Sequence, residues 1–303
     1  MKRALLQLHI AVFLAGFTGI LGRLIQLNEG LLVWYRVAIT VVTLGGLMLF
    51  MKVNFRIEAR DLLRLFGIGA IVVIHWVTFY ASIKYANVSV ALVCFSATGF
   101  FTSIFEPLVL WKKMDIVEVL LGLFAIAGIY IIFNFNPQYK TGIIFGLICA
   151  MGSALFPIFN KEMLKRVEPR TLTFYEMSGG LITLSLLVPL YLTKFPADHY
   201  IPTEMDWYWL LVLGWFCTVL SFILSLNALK KISAFTVNLS YNLEPVYGIL
   251  LAFLFFHENK DLKHTFYIGF ALIILAVIFQ MWREYHEIRT TRNRSRYQSQ
   301  QTL

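Results

Sequence analysis

Two ionisable side chains stand deep inside the most apolar stretches of this chain. Glu244 lies about twelve residues into one such stretch and His75 about thirteen into another. If these stretches are helices crossing a bilayer, a rise of ~1.5 Å per residue puts both near the middle of a hydrocarbon layer about 30 Å thick. A charge there costs ~2.5–3.5 kcal/mol on insertion scales, so each residue needs a partner, a water-filled cavity or a function. Asn238, Tyr241 and Asn242 follow i, i+3, i+4 spacing and share a helix face leading to Glu244 and Pro245. Pro245 has no N–H to donate to the Tyr241 carbonyl, which becomes an available acceptor. Such a polar stripe either lines a substrate path or holds neighbouring helices together.

His75, Trp76 and Tyr80 supply a titratable ring with aromatic walls, the materials of either an orienting pocket for a small ligand or a packed core. Cys94, Ser96 and Thr98 are small and polar, fit for a cavity wall or for close helix approach. Asn160 and Trp215 are weaker candidates for the same cavity, and Pro157 is a kink site facing it. Arg36, Glu106, Glu176 and Glu258 lie nearer the ends of apolar stretches, where a structural anchor or a gate-side ion pair is the simpler role; Arg23 fits a side chain snorkelling toward headgroups.

The elements that must position these residues follow from composition. Of the 303 residues, 59% are hydrophobic and 14% charged, with a mean hydropathy of +0.72, leaving too little polar surface for a soluble domain. In lipid every backbone polar group must be satisfied internally, so an all-α integral membrane protein is expected. Polar breaks predict ten transmembrane helices near 5–27, 30–51, 62–83, 88–111, 115–135, 140–163, 171–193, 206–229, 233–256 and 262–282. The first follows Met1, Lys2 and Arg3 as a signal peptide would, but runs on without a small-residue cleavage site and is expected to remain. Cys94, Cys149 and Cys217 all fall inside apolar runs without metal or redox spacing.

The net charge of +9 does not form a basic stripe with interleaved aromatics, so no nucleic acid is expected as partner. It marks orientation instead. With the N-terminus inside, nineteen Lys and Arg fall on cytoplasmic segments and five on outer loops (Lys84, Lys140, Lys194, Lys260 and Lys263), which places both termini in the cytoplasm of a cell membrane. Trp34, Trp111, Trp207, Trp209 and Trp282 lie near helix ends, as an interfacial belt requires. Residues 284–303 read as a mobile basic tail.

The chain also matches itself. At a spacing of 146 residues, the stretch from Ser82 through Lys84 falls on Ala228 through Lys230, and Asp115 falls on Asp261; at 140, Trp34-Tyr35-Arg36 falls on Phe174-Tyr175-Glu176. Two five-helix halves, 1–137 and 138–283, result. Because five is odd, the second is inverted, the arrangement from which secondary transporters are built around a midplane site. Gly99 and Pro245 are equivalent hinge candidates, and proline should kink its helix more than glycine does.

The run from Ala228 through Glu244-Pro245 to His257-Glu258 resembles the EamA repeat of the drug/metabolite transporter superfamily, and Ser82 through Ser89 with Arg36 is similar to the first repeat. The resemblance covers about residues 5–282. In the first half Thr98-Gly99 stands in place of Glu-Pro and Lys112 in place of the closing glutamate, while Glu106-Pro107 is eight residues out of register. The resemblance implies a carrier of amino acids or other small polar metabolites, often exported, working by alternating access, with protons a candidate coupling ion. A non-transporting scaffold or receptor would share the topology without needing a midplane carboxylate. An intramembrane enzyme is disfavoured by the lack of a His-Glu-x-x-His motif, a Gly-x-Ser-x-Gly elbow or a carboxylate cluster, and no nucleotide-binding loop is present. No metal or cofactor is expected; the partners are the lipid bilayer and a small-molecule substrate.

Overall fold

The computed structural model describes residues 2–53, 55–111, 113–135, 137–229, 240–241, 243–260, 262–279 and 282–283. Asn238, Asn242, Lys112, Asp261, the Lys230-Lys231 pair and the basic tail lie outside the described residues. Among the described residues there is no strand. The helices are α1 (Lys2–Leu24), α2 (Glu29–Phe50), α3 (Ala59–Tyr85), α4 (Val88–Phe95), α5 (Thr98–Leu110), α6 (Ile116–Phe135), α7 (Lys140–Met163), α8 (Pro169–Lys194), α9 (Glu204–Val212), a π-helical segment (Leu213–Leu220), α10 (Ser221–Leu229), α11 (Glu244–Phe256) and α12 (His264–Phe279). Seven stretches are long and apolar enough to cross a membrane, with α4 and α5 joined as one and α9 joined through the π segment to Ser225; α6, α11 and α12 contain three shorter apolar ones.

Three helix starts carry side chains that satisfy free N–H groups. Asn28 accepts from Gly30 N ahead of α2, Asn87 accepts from Val90 N ahead of α4, and Thr203 with Asp206 closes a capping box on α9. Pro169 opens α8, where its missing N–H is no loss.

Two interruptions differ from the uniform spans that hydropathy predicts. Between α4 and α5 the Ser96 hydroxyl donates to the Leu92 carbonyl and the Thr98 hydroxyl to that of Phe95, side-chain bonds that compete with the helical ladder. The span expected over 206–229 contains the π segment, where Thr218 Oγ1 donates to the carbonyl of Leu213, five residues back, at 3.0 Å. Hydropathy averages over both features, so neither registers in the sequence. Pro245 sits in the first turn of α11, after the turn residue Leu243. The helix containing Glu244 therefore begins at Glu244.

In lipid, helices associate by close packing and polar contacts more than by the hydrophobic effect. Helix α3 lies along α7 and α8; α1 lies along α10 and α11; α2 packs on α8 and the π segment; α4 and α5 pack on α7. The α3–α8 contact is backbone to backbone: a Cβ on Gly69 would stand 2.0 Å from the Glu176 carbonyl oxygen and 2.7 Å from Gly180 N. A core drawn from the whole chain, including Leu21, Val33, Tyr80, Leu92, Cys149, Met177 and Leu213, fills the centre.

At the end where α1 closes and α4 opens, Glu258 is buried and accepts from Val88 N at 3.1 Å, Ser89 N at 2.9 Å and Ser89 Oγ at 2.6 Å, while Arg23 donates to Oε1, the oxygen that also accepts from Val88 N. Lys84 donates to the Leu27 carbonyl, Gln26 N donates to Asp206, and Asn28 Nδ2 to the Phe195 carbonyl, so this end is stitched across five elements and their loops. At the opposite end Lys161 pairs with Glu106 at 3.6 Å and Arg283 pairs with Asp115. The last turns of α5 and α11 close on left-handed residues, Trp111 (φ 52°) and His257 (φ 54°). Non-glycine residues seldom adopt that conformation, which costs roughly 1–2 kcal/mol, and these two stand 146 positions apart.

Candidate functional site

A polar group inside the bundle is built on Arg36. From α2 its Nη1 donates to Tyr80 Oη at 2.8 Å, its Nε donates to Thr218 Oγ1 at 3.1 Å, and its guanidinium carbon stands 3.8 Å from the Trp76 ring centroid. Three elements thus hold one cation that is 4% exposed. The π segment explains the Thr218 contact: its hydroxyl hydrogen goes to Leu213, leaving the oxygen lone pairs free to accept from Arg36. Single-turn π geometry of this kind recurs at functional sites. Gly22 on α1 makes room for Tyr80, since a Cβ there would lie 2.3 Å from its ring.

One residue before Trp76, His75 turns toward α7. Its Nδ1 lies 3.2 Å from Cys149 Sγ, and its ring stacks between Phe156 (5.7 Å between centroids) and Phe95 (6.1 Å). Gly152 admits it, because a Cβ there would stand 2.7 Å from His75 Cβ. His75 is buried, whereas Trp76, Phe95 and Phe156 each keep part of their surface accessible.

Glu244 completes the group from the start of α11. Arg36 acts on it electrostatically, and Glu244 in turn acts on Tyr80, Cys149 and Tyr241, which places the carboxylate inside the bundle. It keeps accessible surface and makes no hydrogen bond or ion pair among the described residues.

Of the residues that the sequence singles out, the structure brings together His75, Trp76, Tyr80 and Glu244, and adds Arg36, which sequence position alone assigned to an anchor or gate. Cys94 is buried against Gly146 of α7, and Ser96 and Thr98 bond back into their own segment. Gly99 lies in the first turn of α5. Tyr241 shares a 2.6 Å hydrogen bond with Ser225 and packs by Leu8 and Val12. Trp215 is exposed and donates to Thr43, away from the group, and Asn160 bonds Glu176 instead. Cys149, Phe95, Phe156 and Thr218 were not anticipated; an apolar or hydroxyl residue in a helix carries no mark of the face it will occupy.

The sequence model of the EamA-like transporter family matches residues 2–134 and again residues 140–281. This chain belongs to the EamA-like family. It is a multi-pass membrane protein and a transporter, within the drug/metabolite transporter superfamily. Relatives carry the same general description. An "Uncharacterized transporter" of Archaeoglobus fulgidus is 27% identical over 169 residues, covering 55% of this chain and 58% of that protein. Another, from Clostridium kluyveri, is 24% identical over 226 residues, 72% of each chain. The match thus spans less than two thirds of the Archaeoglobus protein. A solved crystal structure superposes with a TM-score of 0.61 at 16% identity, covering 91% of this chain and 96% of the other, a likeness of fold.

Proposed function

We propose that this EamA-family protein is a secondary transporter that exports a small zwitterionic metabolite, such as an amino acid, across the cell membrane by alternating access. The observation that carries this reading is the pair of opposite charges in the central group. Glu244 offers a carboxylate without a hydrogen-bond or ion-pair partner among the described residues, and Arg36 a held guanidinium that lies on Trp76, with the Phe95 and Phe156 rings around the neighbouring His75. An ammonium group on Glu244, a carboxylate on Arg36 and an apolar side chain against the rings would satisfy all three surfaces.

The architecture proposed is ten crossings in two inverted five-helix repeats. The packing supports it: α3 of the first half on α7 and α8 of the second has its counterpart in the π segment of the second half on α1 and α2 of the first, and α4–α7 has its counterpart in α11–α1. Further support comes from the left-handed caps 146 residues apart and the two matches to the family model.

Two experiments test the proposal. In proteoliposomes screened with amino acids, Glu244→Gln and His75→Ala should each reduce flux per folded carrier, and Glu244→Gln should flatten the pH dependence between about pH 5 and 8. Wild-type rates in both variants would end the assignment of the site. For orientation, a membrane-impermeant thiol reagent applied from outside should label a cysteine placed at Asp198 and spare one at Ser295. The reverse pattern would overturn the cytoplasmic placement of both termini.

A further inference from the structure

Glu176 has no place in the central group, yet it is 1% exposed. Its one polar side-chain partner among the described residues is Asn160 of α7, whose Nδ2 stands 3.2 Å from both carboxyl oxygens. The Asn160 Oδ1 is fully buried and accepts nothing among the described residues. On the α3 side the site is sealed by backbone, with Gly69 pressed on the Glu176 carbonyl and Phe66 covering Gly179.

Several charged and titratable groups on the surrounding helices have other partners. On α3, Asp61 pairs with Arg64 and His75 meets Cys149; on α7, Lys161 pairs with Glu106 and Glu162 with Lys165. On α8 itself Tyr175 bonds the Phe55 carbonyl and Arg170 the Met51 sulfur, and on α2 Arg36 holds Tyr80 and Thr218. A carboxylate buried with only a neutral amide costs several kcal/mol and is a poor way to stabilise a helix pair.

The arrangement has one simple completion. Adding a proton to one Glu176 oxygen creates an O–H donor. A small rotation of Asn160 then lets that O–H donate to Oδ1 while the other carboxyl oxygen accepts from Nδ2, a two-bond ring that satisfies the buried acceptor. Asn160 lies one helical turn, about 6 Å, beyond Phe156, the ring stacked on His75.

We propose that Glu176, paired with Asn160, is a proton-binding site separate from the central group, and that it takes up the proton that drives transport. The coupling part of this inference rests on the transport reading above; the proton site itself does not. Infrared titration of the purified protein tests the site without any solute. The carbonyl stretch of a protonated carboxyl should appear and disappear between about pH 5 and 9, persist in Glu244→Gln, vanish in Glu176→Gln and change frequency in Asn160→Ala. An unchanged titrating band in Glu176→Gln overturns the proposal. If that variant does not fold, an unshifted band in Asn160→Ala overturns it equally, and suppression of the band by Na+ at fixed pH would assign the site to a metal cation instead. In proteoliposomes Glu176→Gln should keep solute counterflow but lose at least tenfold in accumulation driven by an imposed pH gradient; retained accumulation would overturn the coupling role. A titrating band in a wild-type protein that moves no amino acid would leave the proton site standing and sink the transport reading.

Discussion

Arg36→Lys is expected to cut flux by roughly ten- to a hundredfold while leaving the protein folded. Lysine keeps the charge but cannot reproduce the fork that reaches Tyr80 and Thr218 from two nitrogens while lying flat on Trp76. A hydrogen bond to a charged group contributes about 1.5–3 kcal/mol, and ~1.4 kcal/mol corresponds to tenfold. If the guanidinium both orients Tyr80 and receives the substrate, the loss falls on the transport rate and on apparent affinity together. Tryptophan emission should change as well, because Trp76 loses its stacked cation. Counterflow per folded carrier is the deciding measurement. A wild-type rate in Arg36→Lys would mean that the guanidinium is only a strut.

The second large effect is structural. Glu258→Ala should sharply reduce the yield of folded protein and lower the unfolding midpoint in detergent by several degrees. The carboxylate is 2% exposed, caps the start of α4 through Val88 and Ser89 and bonds Arg23, so one truncation leaves two backbone donors and a hydroxyl in a buried place. Each buried donor left without its acceptor costs ~1–3 kcal/mol. Arg23→Gln should cost much less, because the Arg23 side chain is 43% exposed and the three other bonds to Glu258 survive. Differential scanning fluorimetry of the two variants side by side would check the asymmetry; equal losses would contradict the capping role.

These expectations show which parts of the molecule can be read without coordinates. Spans are legible because crossing lipid demands a continuous apolar run. Glu244 and His75 stand out because ionisable residues are rare at that depth. What joins them is another matter. Arg36 reads as a terminal anchor by counting residues, and only the rotation of α2 against α3 and the π segment turns it onto Tyr80 and Thr218. Asn160 is legible as a polar residue near a helix end, but its pairing with Glu176 depends on how α7 and α8 face each other. Helix rotation is set by packing of the whole bundle, and no local pattern in one sequence encodes it.

The three native thiols have a practical consequence. Cys94, Cys149 and Cys217 are free and all buried, with Cys149 fully enclosed and touching His75. The resting protein should therefore be silent to polar alkylating reagents, a ready background for spin or fluorescent labels introduced one at a time. Cys149 becomes a natural clock in the same background: reagent reaches it only when the rings around His75 separate, so its rate of modification reports how often the bundle breathes open.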